Sequence, residues 1–176
     1  MLFTEPEPPA LARLFVGLWP GPTVREALVA QRDAWVWQSG VSLTPPGRLH
    51  LTLHFLGAVV RERIPALVQG LGVGFEPFEL QLAWAEVWSG GIVVLRPSTT
   101  PPAMLSLHAR LSAALRALEQ PVAREGWVPH VTLARRAVGA APPALAAPIR
   151  WPVAAYVLVE SGLPPPRRYR IVAEYE

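Results

Sequence analysis

The chain has 176 residues, 51% of them hydrophobic, with 21 prolines, no cysteine and a formal net charge of +3 carried by 16 arginines against 13 acids. That length and apolar content predict one globular domain. The lack of thiols excludes disulfides and thiolate-ligated metals and fits a reducing compartment. No apolar run approaches the ~18 residues of a membrane span, and the opening stretch, with Glu5 and Glu7 among prolines, lacks the basic and apolar regions of a secretory signal. A cytoplasmic protein without membrane contact is therefore expected, residues 1–10 forming a flexible lead. The small positive balance favours an anionic partner only mildly.

In chain order, Arg13 to Trp19 reads as a first strand, closed by Pro20-Gly21-Pro22. Thr23 to about Gln38 has helical spacing, with Thr23 placed as a cap. After a loop over Ser42–Gly47 comes a strand from Leu49 to Leu56, stopped by Gly57. A second helix is predicted over Arg61–Leu71, then a β-hairpin from Phe78 to Trp88 and Ile92 to Leu95 around Ser89-Gly90-Gly91. Leu107, Leu111, Leu115 and Leu118 stripe a helix over Ala103–Glu119. A strand follows Pro129, Ala140–Pro148 reads as a connection or short helix, and Val153–Val159 and Tyr169–Ala173 read as closing strands. This order lacks the regular alternation and glycine fingerprint of a nucleotide-binding parallel sheet. It predicts an α+β fold of mostly antiparallel strands.

Two of these strands carry the same motif, His50-Leu51-Thr52-Leu53 and His130-Val131-Thr132-Leu133, 80 positions apart. With 4 His and 7 Thr in the chain, Thr at +2 from two histidines is a roughly 1% coincidence in shuffled sequences. Residues two apart on a strand share a face. Each motif therefore presents one imidazole and one hydroxyl together and turns the intervening Leu or Val into the core. The duplication suggests two lobes, each with its own sheet and flanking helices, related by a pseudo-twofold axis across a central cleft.

These residues resemble the 2H phosphoesterase superfamily, and within it the RNA 2′,3′-cyclic phosphodiesterase branch historically called 2′-5′ RNA ligase. The similarity runs through Arg13-Leu14-Phe15-Val16, through Leu49 to Gly57, through Pro129 to Arg135, and through Leu158 to Tyr169 with Glu160-Ser161 and Arg168-Tyr169. It implies a bilobal α+β structure with a basic V-shaped cleft. It also implies a partner RNA with a 2′,3′-cyclic phosphate end (a tRNA fragment or other oligonucleotide) and a 2′-phosphate product. No protein partner is evident.

Opening a cyclic phosphodiester needs a base for the attacking water and an acid for the departing ribose oxygen, and two imidazoles suit both roles near neutral pH. His50 and His130 are the expected acid–base pair, the resemblance implying His50 as donor and His130 as acceptor. Thr52 and Thr132 would donate hydrogen bonds to the non-bridging oxygens. The scheme needs no metal or cofactor. Arg135 follows the second motif and is either a phosphate contact or a surface arginine; strand parity points it away from His130 unless the strand twists or ends. Phe15, Phe55 and Trp127 are candidate stacking platforms for a base, with core packing as the competing role. His54 falls by parity on the face of His50 and Thr52, at the cleft edge or against substrate. His108 reads as structural.

Other readings compete. His50 and His54 have the i, i+4 spacing of helical zinc sites, but their context alternates as a strand, which would part them by about 13 Å. A non-catalytic RNA-end-binding module, a phosphodiesterase for small cyclic nucleotides, and reversible 2′-5′ joining of RNA ends by the same site are the further alternatives.

Overall fold

The computed structural model describes residues 10–123, 126–144, 147–165 and 168–176; of the predicted lead over 1–10, residues 1–9 lie outside them. Strand β1 (Leu11–Leu18) is followed by helix α1 (Pro22–Asp33), the two-residue β2 (Ser42–Leu43) and β3 (Leu51–Val60). Next come α2 (Ile64–Gly70), β4 (Phe78–Trp88), β5 (Ile92–Pro97), α3 (Pro102–Ala117) and β6 (Val131–Arg135). β7 (Ile149–Val153), β8 (Tyr156–Ser161) and β9 (Tyr169–Tyr175) complete the chain. The fold is α+β, and no helix among the described residues is long and apolar enough to cross a membrane.

The strands form one antiparallel sheet in the order β7-β4-β5-β6-β3-β1-β8-β9, with β2 paired beside β6. The expectation of two separate sheets is thus corrected. The halves β7-β4-β5-β6 and β3-β1-β8-β9 join through a single residue pair, Leu51 with Val131. The sheet is also strongly curled. β7 lies at one end of the order and β8 next to the other end, yet only Ala154 and Ala155 separate them. Those three chain steps reach about 11 Å, so the sheet bends into a half-barrel that brings its ends together.

Several boundaries differ from the sequence reading for local reasons. α1 starts at Pro22, whose missing N–H costs nothing in a first turn. It ends at Asp33 rather than Gln38, after which Trp35 and Trp37 stack at 5.2 Å and the Trp37 indole donates to the Arg32 carbonyl. The predicted strand Val153–Val159 is two strands meeting at the alanine pair, and β7 accepts Pro152 because an edge strand can spare a ladder donor. β3 runs on past Gly57 to Val60.

The helices pack on one face of the sheet. Leu28 of α1, Leu67 of α2, Leu107, Leu111 and Leu115 of α3, and Leu14, Val16, Leu51, Leu53, Val131, Leu133 and Val153 of the strands form one buried core. The opposite face is open and holds a smaller cluster of Phe15, Val157 and Val159, against which Trp19 and Tyr169 pack. Which residues reach the open face is decided by β-bulges. Against β1, Gly17 pairs with Thr52 and Val16 with His54, so Leu53 is an extra residue. Against β5, Val94 pairs with Thr132 and Val93 with Ala134, so Leu133 is an extra residue at the equivalent motif position. Each bulge reverses the alternation that follows it.

The first bulge corrects the placement of His54. It lies on the helix side, its Nε2–H donating to the His108 carbonyl at 3.0 Å with Ser112 Oγ 3.2 Å away. His54, His108 and Trp127 form a continuous stack with ring centroids 4.0 and 3.9 Å apart. Burial, reinforced by His54, pulls His108 down to about 4, so the stack is neutral at physiological pH. His50 and His54 therefore face opposite sides of the sheet, and the zinc-like spacing brings no shared ligand position.

The same bulge sets a tight requirement on β1. A Cβ on Gly17 would lie 2.7 Å from the Leu51 carbonyl oxygen, a backbone atom fixed beside the seam. Gly17→Ala should lose about 1–3 kcal/mol by overpacking, read as a lower urea midpoint. Gly47→Ala, at a position with nothing within 4 Å, should stay within about 0.5 kcal/mol of wild type; equal midpoints for the two variants would refute the role given to the close approach.

Candidate active site

The antiparallel pair Leu51–Val131 fixes the motif geometry. Carried one residue to each side, the register sets His50 opposite Thr132 and Thr52 opposite His130, with all four side chains on the face away from the buried Leu51 and Val131. They line one cleft of about 420 Å³. Each strand begins at the residue after its histidine. His50 and His130 thus sit at strand mouths, their backbones turning toward the preceding loops.

Both imidazoles are anchored alike. His50 Nδ1 lies 2.7 Å from the Arg48 carbonyl, and His130 Nδ1 lies 2.7 Å from the Val128 carbonyl. A carbonyl only accepts, so each Nδ1 carries the proton and donates, leaving Nε2 for the cleft. Burial lowers the pKa of both histidines below the usual imidazole value, and like charge adds to it: Arg48, Arg135 and any proton on His130 around His50, and Arg135 and Arg96 around His130. In the unliganded protein both are neutral at pH 7, each offering an Nε2 lone pair.

Their surroundings differ. His50 is walled by Phe15 at 4.7 Å and Trp19 at 5.6 Å, both stacked, with Tyr169 edge-on at 5.6 Å. His130 meets Trp88, centroids 4.5 Å apart and planes at 61°.

The lining has three guanidinium groups, Arg13, Arg48 and Arg135, and no carboxylate among the described residues. Arg135 reaches the cleft because the Leu133 bulge turns it there, reversing the parity expected from an unbroken strand. Its counterpart after the Leu53 bulge is Phe55, which lines the cleft, is exposed, and lies under the Arg13 guanidinium at 4.9 Å. Phe15 also lines the cleft while remaining buried.

The structure therefore gathers His50, Thr52, His130, Thr132, Arg135, Phe15 and Phe55 in one site. His54 and Trp127 do not line it. Trp127 stacks on His108 and donates its indole N–H to the Thr52 carbonyl at 3.0 Å, bracing the first motif from the segment that leads into the second.

Sequence reasoning overlooked Arg13, Arg48 and Tyr169 as cleft residues. Arg48 lies two positions before His50, where its carbonyl holds the ring and its guanidinium sits 5.0 Å over Tyr169. Arg13 shares β1 parity with Phe15, a usable signal once one residue of that strand is known to face the cleft. Tyr169 arrives through the pairing of β9 with β8, which no local pattern announces. A cleft with two neutral imidazoles, the two motif hydroxyls and three fixed cations fits a phosphodiester: the cations and hydroxyls take its oxygens and the imidazoles exchange its protons.

Comparison with known proteins agrees. The family model of the 2′-5′ RNA ligase superfamily matches residues 25–162. An RNA 2′,3′-cyclic phosphodiesterase of Thermus thermophilus is 34% identical over 166 residues, covering 87% of this chain and 83% of that protein. A solved phosphoesterase superposes with a TM-score of 0.82 at 25% identity, covering 94% of this chain and 97% of its own. E. coli LigT in complex with NADP+ superposes at 0.79 with 26% identity and the same coverages.

Proposed function

Because the chain belongs to the 2′-5′ RNA ligase superfamily, we propose that its cleft hydrolyses the 2′,3′-cyclic phosphate at an RNA end to a 2′-phosphomonoester. The observation that carries this reading is the pair of identically anchored histidines whose Nε2 atoms open into one cleft that has no carboxylate among its described lining residues. The kinship with the Thermus enzyme points to the same class of substrate.

In the reaction, a water oxygen attacks phosphorus while one Nε2 lone pair takes the water proton. The bond from phosphorus to O3′ breaks in line, and an Nε2–H on the other imidazole protonates the leaving O3′. Thr52 and Thr132, each opposite the partner motif's histidine, donate to the non-bridging oxygens, where charge accumulates. Arg13, Arg48 and Arg135 hold the anion, and the exposed Phe55 stacks the terminal base. With the 5′-hydroxyl of a second RNA end in place of water, the same in-line attack on the cyclic phosphate breaks the bond to O3′, which takes the proton from the acid, and forms a 2′-5′ linkage. Water at ~55 M favours hydrolysis unless a second end is held well.

The proton inventory sets the pH behaviour. One group must be neutral and one protonated, so rate is lost as pH falls through the pair's lower pKa and again as pH rises through its upper one. Burial and neighbouring cations lower both in the free protein. A bound phosphate anion favours the imidazolium and raises them.

His50→Ala and His130→Ala should each reduce kcat by about 10²–10⁴ on RNA ending in a 2′,3′-cyclic phosphate. Thr52→Val and Thr132→Val should lose about 10² or less, because other donors remain. Undiminished turnover in either histidine variant, or a 3′-phosphate product identified on end-labelled RNA, would exclude the mechanism.

The profile of kcat/KM should be a bell centred on the acid side of pH 6.5, with the kcat bell displaced toward alkali. Arg135→Met should move both limbs of the kcat/KM bell to higher pH by removing a charge that disfavours both imidazolium ions. Steady-state rates between pH 4.5 and 9 decide the point; limbs that move toward acid in Arg135→Met would contradict it.

A further inference from the structure

The open face does not stop at the cleft. Beyond β6 it continues over β5 and β4, and the pairing shows which side chains stand on it. Val94 pairs with Thr132, so Val94 and Arg96 of β5 share the motif face. Glu86 pairs with Val94 and Trp84 with Arg96, so Glu86, Trp84 and Trp88 of β4 stand there too. The contact of Trp88 with His130 places this row directly beside the site.

Trp84 is the anomaly of the row. Leu80 and Leu82 are fully buried on the helix side, and unbroken alternation would send Trp84 after them. Leu82 pairs with Pro97 and Trp84 with Arg96, which makes Ala83 an extra residue and turns the indole to the open face. There it is 60% exposed. An exposed tryptophan that a bulge has re-aimed from core to surface, on the face that holds the catalytic groups, asks for a ligand.

The charges around it suit a nucleic acid. The nearest carboxylate, Glu86, is fully engaged: Arg96 donates to both oxygens at 2.9 and 3.2 Å, and the Trp88 indole donates at 2.8 Å. Further out, Glu79 is likewise held by Arg150 at 3.0–3.2 Å. Both acids are thereby neutralised, and the shelf presents an aromatic plane without repelling a phosphate backbone. By register Arg96 stands next to His130, and Trp84 lies one strand further out, about 10 Å from the motif strand at ~4.8 Å per strand.

On the functional reading above, we propose that Trp84 is a stacking platform for a nucleoside preceding the cyclic end, so that the site takes an oligoribonucleotide in preference to a cyclic mononucleotide. Phe55 on the other half of the sheet takes the terminal base, and the scissile phosphate lies between them. The chain thus leaves the cleft across β5 and β4.

The experiment compares kcat/KM for cytidine 2′,3′-cyclic monophosphate with kcat/KM for a trinucleotide ending in the same cyclic nucleotide. In the wild type the trinucleotide should be preferred. In Trp84→Ala that preference should fall by about 5- to 100-fold, the worth of one stacked base, chiefly through KM of the trinucleotide, and Trp84→Phe should restore most of it. An unaltered preference in Trp84→Ala overturns the shelf while leaving the cleft reading intact. Failure of the wild type to open either substrate overturns the cleft reading, and the shelf proposal with it.

Discussion

A single backbone pairing, Leu51 with Val131, holds the site together. It is where the two halves of the sheet meet, and both side chains are fully buried in the common core. An antiparallel pair is its own local twofold, so one contact between two copies of a motif crosses them: each histidine faces the other copy's threonine. A slip of one residue would send both imidazoles into the apolar layer. The slip is opposed by burial of Leu51, Leu53, Val131 and Leu133 on the helix side, by the Thr44 N–H that donates to the Leu133 carbonyl at 2.9 Å, and by the Trp127 indole on the Thr52 carbonyl. The site's precision thus rests on hydrophobic register, with side-chain hydrogen bonds as braces.

A sheet covered by helices on one face must bury every second residue there, which would leave function only the alternate positions. The bulges relax that constraint. Leu53 and Leu133 each let two consecutive residues serve the helix side, and the next side chain then emerges at the cleft: Phe55 in one motif, Arg135 in the other. Ala83 does the same for Trp84. The two motif bulges are equivalent in position, yet one delivers an aromatic ring and the other a guanidinium. A nearly symmetric scaffold therefore carries an asymmetric site.

These features explain what was legible in the sequence. The alternation in Leu49 to Leu53 and Pro129 to Leu133 reads directly as a two-faced strand, and it holds for the four motif side chains because they precede the bulges. His54 misleads because it lies one residue beyond a break that period-two reasoning cannot see. The adjacent burial of Leu53 and His54 is its only trace, and that is a tertiary fact. The two-sheet expectation fails for a related reason. Duplication suggests separate lobes, whereas a one-residue seam is enough to make a continuous sheet. β7 was hidden by Pro152, which is acceptable only because the strand is an edge, and edge status follows from topology. Arg13, Arg48 and Tyr169 come from three different segments, and only the closed register of β1, β3, β8 and β9 brings them together.

The tautomers of the two histidines bear on how such a site discriminates its substrate. Both rings donate Nδ1–H to a carbonyl two residues back and turn the same nitrogen, Nε2, to the cleft, and burial with surrounding guanidinium charge disfavours the imidazolium form of each. Acid–base catalysis needs one to be an acid. For the proposed reaction the missing proton is stabilised by the substrate, since a phosphodiester anion in the cleft offsets the positive potential of Arg13, Arg48 and Arg135 and favours one imidazolium. Phe15 and Trp19 stack on His50 with Tyr169 edge-on, whereas His130 meets a single tryptophan; guanidinium groups stand near both, Arg48 and Arg135 by His50 and Arg135 and Arg96 by His130. On this account binding of the anion and creation of the acid are one event, and a neutral ester entering the same cleft would find two bases and no proton donor.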